Sequence, residues 1–389
     1  SDGDPDYYPY QTLYGLGYKN GSEAGAYFTV IANPSLKWET QISTDIALEF
    51  GLFDRLTGTI EYFKKDSKDL LFDVSQPASV GVTSIIQNIG KVTNSGVEIE
   101  LDYNAFKNKD WSVSVGANAT FVKNKIKNLP ATMKENGYIS GSKKWLEGKS
   151  IYEFWLRQWH GVDPQTGDGL YVADVSKYNQ GNIGTGDGNI TQSQFDEYKK
   201  TVVTIDGKEL TNSYTYAKYD FSGSSIPDVY GGFNVRVSYK NFELAAVFSY
   251  QLGGQILDTN YATMMSMTEF GYAQSPDLLK AWKQAGDITE VPRIDNSAAH
   301  TTNIGQSYST RWLTSSDYLN LRSVTIGYQL PKTWLSKVML KSARLNLTAE
   351  NLFMLKARQG LNPMANYSGV TYNEYMPSRN ITLGLNVSF

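Results

Sequence analysis

Cysteine is absent and histidine nearly so: the 389 residues hold no Cys and 2 His. The first absence excludes a disulfide framework, a thiolate metal site and cysteine catalysis. The two histidines, His160 and His300, have no companion at ligand spacing, which leaves little for imidazole chemistry. Charge is also scarce. Asp, Glu, Lys and Arg make up 19% of the chain, below the roughly 25% of an ordinary soluble domain. The net charge of -3 offers no basic footprint for nucleic acid. Long apolar runs are missing. The longest clean one is Leu244 to Phe248, whereas a spanning helix needs about twenty residues. A mean hydropathy of -0.38 therefore excludes a bundle of membrane helices. It does not exclude a membrane β-barrel, whose alternating strands average out. The first residue is Ser rather than Met and no signal peptide is visible, so the chain is expected to be processed or cut from something longer.

What is abundant is Tyr, with 27 copies, and Gly, with 34. The dominant pattern has period two. Ile381, Leu383, Leu385, Val387 and Phe389 fall on one face of an extended segment, and Thr382, Gly384, Asn386 and Ser388 on the other. One apolar and one polar face is the mark of a half-buried strand. The same alternation runs through 42–50, 56–62, 97–104, 111–121, 233–239, 242–250, 324–330 and 345–353, with a less regular stretch near 151–160. About ten or eleven strands follow from this count. Helix signals are sparse: Pro276 to Gln284, and a turn within Pro331 to Lys341.

The connections alternate in length. Short turns sit at 53–55, 107–110 and 240–241, and long polar stretches at 67–91, 123–150, 163–229, 255–316 and 354–378. Loops beyond about 15 residues are uncommon in compact domains. Long loops on alternate connections fit an outer-membrane barrel, with short periplasmic turns and long extracellular loops. Aromatic placement points the same way. Tyr103, Trp111, Tyr239, Phe242, Tyr328 and Phe389 lie near the short-turn ends, and Tyr62, Phe121, Tyr250 and Phe353 towards the long-loop ends. Two such bands resemble interfacial girdles. A soluble sandwich shows the same alternation, and aromatics favour strands anywhere, so both architectures stay open on pattern alone.

Short motifs narrow the choice. They run in order: Asn33-Pro-Ser-Leu-Lys-Trp-Glu39, Asp54-Arg55, Gly58 to Phe63, Asp69-Leu-Leu-Phe72, Gln87-Asn-Ile-Gly90 and Asn94 to Glu98. Next come Gly161 to Asp168, Ile226 to Phe233, Val291-Pro-Arg293, Ser316 to Arg322, Gly327-Tyr328, Glu350 to Phe353, Pro377-Ser-Arg379 and Leu383 to Phe389. The ordered series resembles the SusC-like TonB-dependent transporters of Bacteroidetes outer membranes. The resemblance implies an all-β, antiparallel transmembrane β-barrel of about 22 strands with a plugged lumen and long extracellular loops. It further implies import of oligosaccharides or peptides across the bacterial outer membrane. The partners it implies are a SusD-like surface lipoprotein as lid, the lipid bilayer and a TonB system acting through the plug. Phe389 resembles the terminal residue of the barrel-assembly signal. The plug and about half the strands are missing from these residues, so the chain is expected to be the C-terminal part of the barrel. Residues 1–35 are expected to be an irregular extracellular segment and 36–389 the barrel portion. Residues 380–389 are expected to form a closing edge that pairs with strands of the N-terminal portion.

No residue stands out as catalytic. Glu98, Glu100 and Asp102 share a strand face at spacings conceivable for paired acids. A wetted lumen face packing on a plug is the plainer reading, and it extends to Asp45, Glu49, Arg236, Glu243, Arg344 and Glu350. Asp163, Asp168 and Asp187 cluster with Gly in a pattern that a calcium loop would use. The flanking ligand positions fall on Ile183 and Gln194, which breaks that pattern and favours plain turns. Cargo contact is expected from loop aromatics, which stack on sugar rings or peptide side chains. The candidates are Trp145, Trp155, Trp159, Tyr171, Tyr178, Trp282 and Trp312; loop packing or the lid interface would use the same residue types.

The competing reading is a soluble or surface glycan-binding protein or adhesin without transport. The two separate cleanly. The barrel reading expects extraction only with detergent, heat-modifiable gel migration and co-purification of a lipoprotein. A monodisperse protein in detergent-free buffer would remove it.

Overall fold

The computed structural model describes residues 11–75, 82, 84–186, 188–266, 271, 273–295, 297, 305, 308–335 and 340–389. Among them no helix is long and apolar enough to cross a membrane. The chain divides into two compact units, residues 1–140 with 144–151, and residues 141–143 with 152–389.

The first unit is a meander of four long strands: β1 (Thr40–Leu52), β2 (Leu56–Ser75), β3 (Ser84–Lys107) and β4 (Trp111–Asn128), each antiparallel to the next. The turn from β1 to β2 is tight because Phe53 and Asp54 both take left-handed φ values (55° and 52°), and the Arg55 N–H donates to Leu52 O at 3.1 Å. Matched left-handed residues suit the twist of a hairpin. The expected loop over 67–91 is mostly strand, since β2 and β3 run to 20 and 24 residues. A membrane crossing needs only about 9–11. The sequence hid this extension because Asp69 takes φ 57° and the register shifts on both sides of Leu70, breaking the period of two. Residues 1–35, expected to be irregular, contain a hairpin of Leu13–Asn20 and Glu23–Val30.

Motifs far apart in sequence meet at the Asp69 bulge. Asn88 Nδ2 donates to Asp69 O and Lys37 O (2.8 and 2.7 Å), and the Lys37 N–H returns a bond to Asn88 Oδ1 at 2.9 Å. Glu39 Oε1 accepts the Leu71 N–H at 2.9 Å, and Asn33 Nδ2 donates to Ile86 O at 2.8 Å. Gly90 must be Gly, because a β-carbon there would run into the Phe72 ring. The bulge frees backbone groups, and these side chains satisfy them.

The second unit holds five long strands: β5 (Val229–Tyr239), β6 (Phe242–Leu252), β7 (Tyr318–Gln329), β8 (Ser342–Glu350) and β9 (Asn380–Ser388). They pair in the order β5-β6-β7-β8-β9, all antiparallel. The short strand Met354–Lys356 continues the pairing of β7 beyond β8. The expected strand near 151–160 is not one of these. Glu153–Arg157 instead pairs with Tyr219–Ser224 in a separate small sheet. A further four-stranded sheet joins Trp159–Val162, Gly169–Val172, Lys208–Thr211 and Val202–Ile205. Beside it lies α1 (Gln192–Thr201), which the sequence reading missed; it starts on a Thr191–Gln194 capping box. The helix expected over 276–284 is a 3-10 turn, Pro276–Lys280, while Lys332–Leu335 supplies the expected turn after β7.

The long strands of both units carry one bare apolar face. Ile46, Leu48, Ile60, Leu244, Ile326, Leu347, Leu383 and Leu385 are all exposed on it. At the short-turn ends Phe242 packs on Tyr328 with ring centroids 4.5 Å apart, and Tyr103, Trp111 and Tyr239 are exposed. A water-soluble sheet would bury this face, so it is built for hydrocarbon. Strand β9 is fully paired with β8, from Ser342↔Ser388 to Glu350↔Asn380. Among the described residues the other edge of β9 and the outer edge of β1 have no strand beside them. Leu383→Arg places a charge on the apolar face and is expected to cost about 2–4 kcal/mol if it lies near the bilayer midplane. Asn386→Arg on the polar face is expected to cost far less. Urea midpoints of the refolded receptor in lipid vesicles measure the difference; equal losses would contradict the assignment of faces.

Candidate functional site

The polar faces carry the charged residues singled out from sequence. In the first unit Glu98 lies opposite Glu61 on β2 and Thr120 on β4, Glu100 opposite Thr59 and Asn118, and Asp102 opposite Thr57 and Gly116. Glu61, Glu98 and Glu100 border an open hollow of about 260 Å³. Like charges directly across a ladder are unfavourable, so this face calls for water or a cationic cover. No acid–base pair is set apart there, and the hollow is a charged surface rather than a catalytic one.

In the second unit the polar face holds an ion-pair chain. Arg344 on β8 reaches across β7 to Glu243 on β6 (2.9 Å), and Arg236 on β5 approaches the same carboxylate at 3.6 Å. Arg344 Nε also donates to Asn346 Oδ1 at 2.8 Å. The reach is feasible because Gly327 lies between them: a β-carbon there would come within 2.6 Å of the guanidinium. Glu350, at the long-loop end of β8, accepts Asn380 Nδ2 at 3.2 Å. Phe389 ends the apolar face of β9 and is exposed.

Burial divides the seven candidate cargo aromatics. Tyr171, Tyr178 and Trp312 are 0%, 8% and 2% exposed, so packing has used up their rings. Trp312 belongs to a core with Phe154, Leu156, Leu257 and Leu278. Tyr178 stacks on Tyr198 of α1, in a cluster with Ala173, Ile190 and Phe195. Burial holds the Tyr171 hydroxyl up at about 12, with Arg311 and Arg157 pulling the other way. Trp145 is half-buried against Phe72, its Nε1 donating to Ile151 O at 3.2 Å. Trp282 donates Nε1 to Pro164 O at 2.9 Å and closes the 163–168 turn. Trp159 lies under the Arg311 guanidinium (4.7 Å) and edge-on to Tyr171. Trp155 stacks on Tyr219 at 6.2 Å and meets Phe221 edge-on; it keeps partial exposure.

Two of the three aspartates of the calcium pattern are held by bonds within the protein. Asp163 caps its own turn, accepting the Gln165 N–H (2.8 Å) and the Thr166 hydroxyl (2.9 Å). Asp168 accepts Arg293 Nε at 2.9 Å and Asn212 Nδ2 at 3.3 Å. The Arg293 N–H closes the same loop on Gly167 O at 2.9 Å. Arg293 thus pairs with the Asp168 carboxylate. Asp187 and His300 lie outside the described residues, His160 is exposed, and no acidic group able to hold a metal forms among the described residues.

Sequence reading missed a polar pocket of about 350 Å³ between α2 (Thr259–Met264) and the loop 358–375. Asp258 caps α2, accepting the Tyr261 N–H at 3.0 Å, and is almost fully buried. Arg358 neutralises it at 3.0 Å and lies 3.6 Å over the Tyr261 ring. The Tyr261 hydroxyl donates to Asp277 at 2.8 Å, and burial raises its pKa. Asn362, Asn373 and Glu374 line the mouth, and Tyr375 stands 95% exposed beside them. Planar amides, a carboxylate and an open ring make a binding surface, with no nucleophile–base pair. The signal was in the sequence: Tyr367, Tyr372 and Tyr375 crowd a loop rich in Asn.

A sheet with one bare apolar face, one polar face and long loops on alternate connections defines an outer-membrane β-barrel. Residues 4–186 match the family described as TonB dependent receptor-like, beta-barrel. The TonB-dependent receptor P3 of Formosa agariphila is 29% identical over all of this chain, which spans 38% of that receptor. SusC of Bacteroides thetaiotaomicron is 24% identical over 92% of the chain and 32% of its own length. Among solved structures, the RagAB peptide importer in its closed-closed state is 25% identical, with a TM-score of 0.74 over 98% of this chain and 39% of that one. The chain is thus similar, over nearly its whole length, to part of the β-barrel of TonB-dependent receptors of the outer membrane. It spans about a third of the length of these curated relatives.

Arg358→Met leaves the Asp258 carboxylate buried without its cation. A loss of about 1–3 kcal/mol in local stability is expected. Limited proteolysis of the loop 358–375 in the detergent-solubilised receptor reads it, and an unchanged cleavage rate would show that the pair does not hold the pocket.

Proposed function

We propose that the chain is the C-terminal barrel portion of a TonB-dependent importer that takes up oligosaccharides or peptides through the outer membrane. A SusD-like lipoprotein covers the extracellular loops, and a plug supplied by the N-terminal portion fills the lumen and contacts TonB. In this reading the protein is not an enzyme. The observation that carries it is the two-faced sheet. One face suits lipid, and the other carries Glu98, Glu100, Asp102, Arg236, Glu243 and Arg344, as a plug-facing lumen wall would. The RagAB importer, similar along nearly the whole chain, supports the same reading. Cargo would meet the loops at the Asp258–Tyr375 pocket and along the partly exposed Trp155, Trp159 and Trp282.

Whole cells expressing the complete receptor test this. Labelled oligosaccharides and oligopeptides are supplied with and without a functional TonB system. Accumulation of one class that stops when TonB is lost, while surface binding persists, is the expected result. Tyr375→Ala with Asn362→Ala should lower that uptake several-fold at unchanged receptor level. Binding with no TonB-dependent accumulation of either class would make the protein a surface adhesin instead.

A further inference from the structure

The apolar face of the second unit is not uniform. At its long-loop end lies a cavity of about 610 Å³, lined by Phe233, Tyr250, Leu252, Leu319 and Leu355, with Asp317 at the rim. The register places these residues on one face: Tyr250 pairs with Leu319 and Leu319 with Leu355. This is the face opposite Arg236, Glu243 and Arg344.

Two backbone features open the hollow. Between the pairs Ser323↔Glu350 and Asn320↔Met354, two residues of β7 face three of the partner chain. Asn351 absorbs the mismatch with φ 52°, and the ladder resumes through Asn351 N–H to Arg322 O (3.0 Å) and Leu321 N–H to Phe353 O (3.1 Å). Such a bulge bends a strand. Opposite Tyr250 stands Gly231, which puts no side chain on this face. The floor is set by Phe233, stacked on Phe248 at 4.5 Å. The walls are Leu252 and Leu355, 51% and 61% exposed.

The polar groups at the rim are already engaged. Asp317 Oδ1 accepts the Gly253 N–H at 2.7 Å, and Lys356 Nζ donates to Leu361 O at 2.7 Å. A ligand here must be one that asks for shape and apolar surface alone. The groove is continuous with the face that hydrocarbon covers. It lies at the end of the strands that bears the long loops, which in outer-membrane barrels is the extracellular end.

We propose that this groove seats an acyl chain of an outer-leaflet lipid, holding one chain in place where the rest of the face meets lipid loosely. The site depends on the barrel's place in the membrane and is independent of what the receptor imports.

The complete receptor in nanodiscs of phosphatidylethanolamine, doped with phosphatidylethanolamine carrying a diazirine in its acyl chain, provides the test. After irradiation, adducts mapped by mass spectrometry should be several-fold more frequent at Leu252, Leu319 and Leu355 than at Leu345 and Leu347 of the same face. Leu252→Trp with Leu355→Trp fills the hollow and should reduce groove adducts to the level of those two positions. Leu355→Ala enlarges it and should retain them. Heat-modifiable migration verifies that each variant is folded. Even labelling along the face, groove adducts that survive filling, or a groove labelled only after a co-purified protein or second receptor copy is removed would each overturn the proposal.

Discussion

Inside hydrocarbon a backbone N–H or C=O has no water to turn to, so each must find a partner in the chain. The rest of this structure depends on that constraint. It forces the long strands into continuous antiparallel ladders and leaves side chains free to divide by face, apolar to one side and polar to the other. It also explains where irregularity is allowed. The bulges at Asp69 and Asn351 sit towards the long-loop ends of their strands, and each has its freed groups taken up nearby. Asn88 and Glu39 serve the first, and at the second the Asn351 N–H donates to Arg322 O at 3.0 Å.

This gives the scattered motifs a physical meaning. Asn33, Lys37, Glu39, Asp69, Asn88 and Gly90 are spread over 33–90, yet all serve the hairpin around the Asp69 bulge. Gly161 to Asp168 and Val291 to Arg293 are more than a hundred residues apart and close a single turn with Trp282. Ser316 and Asp317 likewise tie the end of β6 to β7, through Gln251 Nε2 to Ser316 Oγ (2.8 Å) and the Gly253 N–H to Asp317. These motifs mark where strand ends are fastened to loops.

The legibility of the sequence followed the same division. Wherever one face met apolar surroundings and the other did not, as in β1, β6 and β9, period two was visible and the strand could be placed to within a few residues. It failed where that contrast ended. Beyond Asp69 the strands continue without alternation. Helix α1 has only Phe195 and Tyr198 buried on an otherwise polar surface, too little for a helical period to show. The loop aromatics were recognisable as a class but not individually, because a ring that stabilises a loop and a ring that awaits cargo have the same composition. Tertiary packing decided that Tyr171 and Trp312 belong to the first kind, whereas the Tyr375 ring stays exposed.

The β2–β3 hairpin has a consequence of its own. Its ladder is about twice the length a membrane crossing demands, so one set of hydrogen bonds spans two solvents. In the hydrocarbon portion the bonds have no competitor. In the outer portion water can replace each of them, and the hairpin there must rely on its side chains. The Asp69 bulge, pinned by Asn88 and Glu39, works as a clasp at that seam. Any fraying of the outer portion would have to break those side-chain bonds before it reached the paired strands below.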